Sequence, residues 1–97
     1  MDVRVEICGA AFVWDEQKAA SNAAKHGVRF EDAAHVFFDP FLRMVDAGRN
    51  HEARDAVIGY DNTSRLLLVV HIEVQQGALR IISARGVDSR ERQLYEQ

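Results

Sequence analysis

The chain has 97 residues, of which 47% are apolar and 28% charged, an ordinary globular composition that is neither disordered nor fibrous. Its single cysteine, Cys8, excludes an internal disulfide framework and points to a reducing compartment, and no apolar run approaches the ~18–20 residues of a membrane span. Twelve basic against fifteen acidic side chains leave a net charge of −3, which argues against a surface that is basic all over. The first 62 residues carry seven basic and eleven acidic groups, the remaining 35 five and four, so any basic face must draw on the C-terminal third. The expectation is one domain over residues 1–97 of a soluble, cytoplasmic protein with no membrane partner.

Val3, Val5 and Ile7 alternate with Arg4 and Glu6, and Phe12-Val13-Trp14 completes what reads as one N-terminal strand or arm. Asp15 is a candidate N-cap for a helix bearing Ala19, Ala20, Ala23 and Ala24, which Lys25-His26-Gly27 ends with cations and a glycine. Phe30, Ala33, Ala34 and Phe37 recur at helical spacing until Asp39-Pro40 stops them. The period then becomes strand-like over 41–45, 55–60, 65–73 and 79–85, with short turns that favour an antiparallel meander. Asp88 caps a last helix through Glu96. The predicted fold is α+β, an antiparallel sheet of about four to five strands with two N-terminal helices and one C-terminal helix, ordered β-α-α-β-β-β-β-α. Trp14 and the five phenylalanines read as core.

Phe12-Val13-Trp14-Asp15, Lys18, Asn22, Lys25-His26-Gly27, Phe30, Ala33-Ala34 and Phe37-Phe38-Asp39-Pro40 resemble the N-terminal pattern of the BrnT family. The resemblance resumes at Glu52-Ala53-Arg54, Gly59, Leu67-Leu68-Val69-Val70-His71, Arg80 to Arg85, and Arg90 to Glu96. It is collinear over nearly the whole chain, with Gly86 standing where the family commonly has lysine. The resemblance implies a RelE-like fold and a ribonuclease toxin of a type II toxin–antitoxin pair. It further implies a BrnA-type DNA-binding antitoxin as partner, in a 2:2 hetero-oligomer that represses its own operon and touches operator DNA only through the antitoxin. An alternative is a catalytically weak or inactive member that keeps the fold and serves as an antitoxin-binding co-repressor.

Metal-independent RNA cleavage needs a group that activates the ribose 2′-OH, cations on the phosphate oxygens, and assistance to the leaving 5′-oxygen. His71 and Arg85 are the leading pair, each near the end of a strand flanking the turn at Gly77. Strand parity groups Leu67, Val69 and His71 on one face and Ile81, Ser83 and Arg85 on one face, with Arg80 opposite. If the two faces coincide, imidazole and guanidinium meet over one ligand. The bland alternatives are a core histidine and a salt bridge from Arg85 to Asp88 or Glu91. Glu52 is a candidate acceptor, against a strand-end ion pair, and the resemblance adds Arg92 and Tyr95 of the last helix. Lys18, Asn22 and Lys25, spaced i, i+4, i+7, form one polar stripe. Lys18 and Lys25, with His26, Arg54 and Arg90, are candidate RNA contacts, against the simpler reading of solvated surface. The four histidines and lone cysteine lack metal-ligand spacing, so neither a metal site nor a cofactor is expected.

Overall fold

The computed structural model describes residues 1–46 and 55–97. Two strands, β1 (Asp2–Ile7) and β2 (Ala10–Asp15), precede helix α1 (Glu16–His26) and the short helix α2 (Phe30–Ala33). Strands β3 (Arg43–Val45), β4 (Asp55–Tyr60), β5 (Leu66–Glu73) and β6 (Leu79–Gly86) follow, and helix α3 (Ser89–Glu96) ends the chain. The α+β class is as expected, but the described residues form a sheet of six strands in the order β1-β2-β6-β5-β4-β3, and it is mixed, because β2 runs parallel to β6.

The extra strand comes from the N-terminus. Residues expected to make one strand fold into a hairpin, with Ile7 opposite Ala10 and the turn formed by Cys8 (φ 51°) and Gly9 (φ 82°). Two consecutive positive φ values are what a tight two-residue hairpin demands, and Gly9 meets that demand without strain. The hairpin is fastened to β6 by a bidentate pair from Arg80 to Asp2, with N···O distances of 3.2 and 2.7 Å.

Asp15 is the N-cap of α1, accepting from the Lys18 backbone N–H at 3.0 Å, and Gly27 closes the helix in the left-handed conformation. The second expected helix is α-helical only to Ala33 and then tightens into a 3-10 segment, Ala34–Phe38, ending at Asp39 before the proline. Of its expected apolar positions, Phe30, Ala33 and Ala34 join Phe12, Trp14, Val57, Leu67, Val69, Ile81 and Ala84 in the core, whereas the tightened 3-10 turn buries Val36 fully and leaves Phe37 only partly buried against it. Gly59 of β4 lets this segment approach closely, since a Cβ there would lie 2.9 Å from Val36 Cγ1. The aromatic side chains do not all follow, for Phe38 is 41% and Phe41 75% exposed.

A register shift between Val70 and His71 decides where the side chains of β6 point. Val70 lies opposite Ser83 but His71 opposite Ile81, so Ile82 is an extra residue in β6. The bulge breaks simple alternation: Ile81 and Ala84, three apart, both enter the core. Beyond Arg80, β2 no longer flanks β6, and α1 takes its place at that edge. Asn22 of α1, the buried residue of the helix, donates to the Ala84 carbonyl at 2.8 Å and accepts from the Ala84 N–H at 3.0 Å, as a neighbouring strand would. No described helix is long and apolar enough to cross a membrane.

Candidate active site

The two faces on which strand parity sets His71 and Arg85 do not coincide, because the bulge at Ile82 intervenes. Arg85 pairs with Leu68 on the sheet face that α3 covers, whereas His71, two residues beyond Val69 and four beyond Leu67, shares their face toward α1 and α2. His71 is only 6% exposed and meets Phe37 edge-to-face at 4.8 Å. Burial pushes its imidazole below the ordinary histidine pKa, against weaker upward pulls from the Val69 backbone and the Asp55 and Glu73 carboxylates. Its Nδ1 has no hydrogen-bond partner among the described residues. A ring this buried among the described residues is poorly placed to meet a surface phosphate.

Arg85 is engaged as well. It grips Glu91 through two bonds of 2.8 and 2.7 Å and donates to the Gly86 carbonyl at 3.0 Å. Glu91 is at the same time half of a capping box with Asp88, so the pair ties β6 to the first turn of α3. The bond to Arg85 holds the Glu91 carboxyl below its ordinary range despite partial burial. Arg80 shares this face with Arg85 rather than opposing it, because the bulge intervenes, and it is occupied by Asp2.

Tyr95 serves as a latch. Its hydroxyl donates to Asp39 Oδ2 at 2.6 Å, and burial together with that carboxylate pushes its pKa up to about 12. Asp39 also accepts from the Tyr60 and Phe41 backbone N–H groups at 2.9 Å each. Burial alone would raise the Asp39 pKa, but these three donors outweigh it and hold the carboxyl low. Tyr95 thus sits far from the protonation range of a base at neutral pH.

The remaining described candidates are exposed basic side chains. His26 and Arg92 line an open cleft of about 410 Å³ at one end of the sheet, formed where the last turn of α1, the β4–β5 turn and the β6–α3 link converge. Tyr60, Ser64, Arg65 and Gly86 complete its rim. Lys18, Lys25 and His26 line a shallower depression beside Ser83, and His26 is common to both, so the two depressions adjoin. Among the described residues, Lys18, Lys25, His26 and Arg92 have no carboxylate partner. Arg90 lies instead with Arg85 on the α3 side. Glu52 and Arg54 fall outside the described residues. No group of three potential metal ligands occurs among the described residues.

Two features of this end of the sheet were not read from the sequence. Arg65 reaches Asp61 Oδ2 at 3.1 Å, the Gly27 carbonyl at 2.9 Å and Asp32 at 3.6 Å, binding the β4–β5 turn to the end of α1 and to α2. Asp61, with its side chain fully buried, also accepts from the Thr63 and Arg65 backbone N–H groups; those bonds overcome the burial that would raise its pKa. The second feature is Tyr60. The turn sequence Asp61-Asn62-Thr63-Ser64-Arg65 carried the signal for the first, since Asp favours hydrogen bonds to N–H groups two residues on.

A family model described as ribonuclease toxin, BrnT, of type II toxin-antitoxin system matches residues 14–91, which sets the class: a ribonuclease toxin of a type II toxin–antitoxin system, a class that implies an antitoxin partner. The 1.1 Å crystal structure of the Brucella abortus ribonuclease toxin, BrnT, is similar at a TM-score of 0.62 and 28% identity, over 78% of this chain and 94% of that one. The chain belongs to the BrnT family. No match was found among curated proteins. The family match begins at Trp14, so β1 and most of β2 precede it.

Proposed function

We propose that this chain is a metal-independent endoribonuclease that cuts RNA by attack of the 2′-OH on the adjacent phosphate, and that the reaction takes place on the face carrying His26 and Arg92. The observation that carries this reading is the adjoining pair of depressions that gathers Lys18, Lys25, His26 and Arg92, unpaired with any described carboxylate, on a chain whose total charge is negative. Lysine and arginine there neutralise phosphates, and the guanidinium of Arg92 is suited to the charge that builds on the phosphate oxygens in the transition state. His26 supplies an imidazole, the side chain suited to moving a proton near neutral pH, to the 2′-OH or the leaving 5′-oxygen. His71, Arg85 and Tyr95 act in this scheme through the fold: a core ring, a strand-to-helix tie and a latch on Asp39.

The antitoxin is a BrnA-type DNA-binding protein that forms a 2:2 complex, masks this cationic face and represses the shared operon. The experiment is incubation of the purified protein with total RNA in the presence and absence of EDTA, with the antitoxin added in a third arm. Cleavage that survives chelation, leaves 2′,3′-cyclic phosphate and 5′-hydroxyl ends, and stops with antitoxin supports the reading. Cleavage abolished by EDTA contradicts it. The engagement of Arg85 by Glu91 and the burial of His71 favour one second reading, an inactive antitoxin-binding co-repressor, for which tight antitoxin binding without any RNA cleavage is the expected result.

A further inference from the structure

Tyr60 closes β4 at the rim of the cleft that holds His26 and Arg92, and it is 40% exposed. Its hydroxyl makes no hydrogen bond to a described residue, so the exposed ring is not there to anchor a polar tip. Its position is nevertheless fixed twice. The Tyr60 backbone N–H donates to Asp39 Oδ2 at 2.9 Å, and the same oxygen accepts the Tyr95 hydroxyl at 2.6 Å. Tyr95 in turn meets the Tyr60 ring at 5.5 Å and 84°. In a perpendicular contact only one ring presents a face, so at least one π face of Tyr60 is left uncovered by it. Asp39 therefore presets an aromatic surface at the rim of the cleft that His26 and Arg92 line.

Resting on the reading of this face as an RNA site, we propose that Tyr60 is a stacking platform for an unpaired nucleobase whose flanking phosphates lie against His26 and Arg92. Single-stranded nucleic acid is the ligand that offers flat aromatic units and anionic links in alternation, and an aromatic ring set among cations is the usual way to hold it. Stacking adds affinity for any base, because every base has a π face; Tyr60 therefore strengthens binding without dictating the sequence cut. The contact needs no movement of the protein, since Asp39 and Tyr95 already hold the ring.

The test uses a fluorescein-labelled single-stranded RNA with every ribose 2′-O-methylated, so that binding is read by anisotropy without cleavage. Wild type, Tyr60→Leu, Tyr60→Phe and Tyr60→Trp are compared, the leucine keeping an apolar contact with Tyr95 but offering no π face. The expected result is roughly tenfold weaker binding for Tyr60→Leu and little change for the two aromatic variants. A single abasic nucleotide at one position should weaken the wild type to the same extent and have no further effect on Tyr60→Leu. Should Tyr60→Leu fail to fold, the aromatic variants and the abasic series on wild type decide the matter. Unchanged affinity in Tyr60→Leu, or abasic losses that are equal in both proteins, overturns the stacking role while leaving a wild type that cleaves RNA as a ribonuclease. A wild type that neither binds nor cleaves RNA overturns both. Intact RNA binding combined with lost antitoxin binding makes Tyr60 a protein-contact residue and likewise overturns the proposal.

Discussion

Replacing Asn22 with alanine should cost more than any other change on α1. The Asn22 amide makes three buried hydrogen bonds: to the Val28 carbonyl at 3.0 Å, to the Ala84 carbonyl at 2.8 Å, and from the Ala84 N–H at 3.0 Å. Each is worth about 1 kcal/mol net, and alanine would also leave backbone groups buried without partners, so the loss should reach about 3–4 kcal/mol. Against a total stability of about 5–15 kcal/mol for a small domain, that is a large fraction. At about 4–8 °C per kcal/mol for a chain of this size, the melting temperature should fall by about 15–25 °C. Asn22→Asp is expected to be at least as damaging, since its carboxylate would keep the Ala84 N–H but face two carbonyl oxygens. Lys18→Ala and Lys25→Ala, on exposed neighbours, should change stability by no more than about 0.5 kcal/mol. Thermal melts followed by circular dichroism, with urea titration for the free energies, check all four. A loss below about 1 kcal/mol for Asn22→Ala would refute the view that its side chain substitutes for a missing strand.

Other expectations rest on single features. His71 has its folded pKa depressed below the unfolded value of about 6.5, so the stability it contributes is complete above that value and drains away as pH falls through it toward the folded pKa; His71→Leu should flatten the stability–pH slope on the acid side of about pH 6.5, and an unchanged slope would contradict the burial argument. Tyr95 is raised to about 12, so its contribution is complete below the unfolded value of about 10 and is lost as pH climbs toward 12; ultraviolet titration should show one of the two tyrosines ionising near 12, and Asp39→Asn should bring it down. Gly59→Ala forces a methyl within 2.9 Å of Val36 Cγ1 and 3.2 Å of Asp39 Oδ2, and urea unfolding should register a loss of about 1–3 kcal/mol.

Local signals carried the regular parts of the fold. Asp15, Gly27 and Asp88 cap helices where their chemistry places them, and β4 and β5 run where the alternation and apolar runs put them. Three features escaped, one because its turn residues are atypical and two because they depend on pairing between strands. A Cys-Gly pair is a poor advertisement for a hairpin turn compared with Asn-Gly, so one strand was expected where two form. The parallel contact of β2 with β6 joins distant parts of the chain, which no turn encodes. The bulge at Ile82 inverts the face assignment of every residue on one side of it, which is why parity placed Arg85 with Ile81 and Arg80 opposite both. The candidate site suffered most from that last feature. Residue type singled out the cations correctly as surface groups, but only tertiary structure shows that His26 and Arg92 share a cleft and that Asn22, spaced with Lys18 and Lys25, turns inward.

The central claim, that RNA is cut at the His26–Arg92 face and not at the sequence-favoured His71–Arg85 pair, is tested most directly by cleavage rates on one defined RNA in EDTA. His26→Ala/Arg92→Ala should lose roughly 100-fold or more, the usual worth of a general acid–base group, with the fold intact. His71→Leu, checked to be folded at the assay temperature, should cut at close to the wild-type rate. A double variant at His26 and Arg92 that cleaves like wild type, beside a folded His71→Leu that does not cleave, would contradict the account.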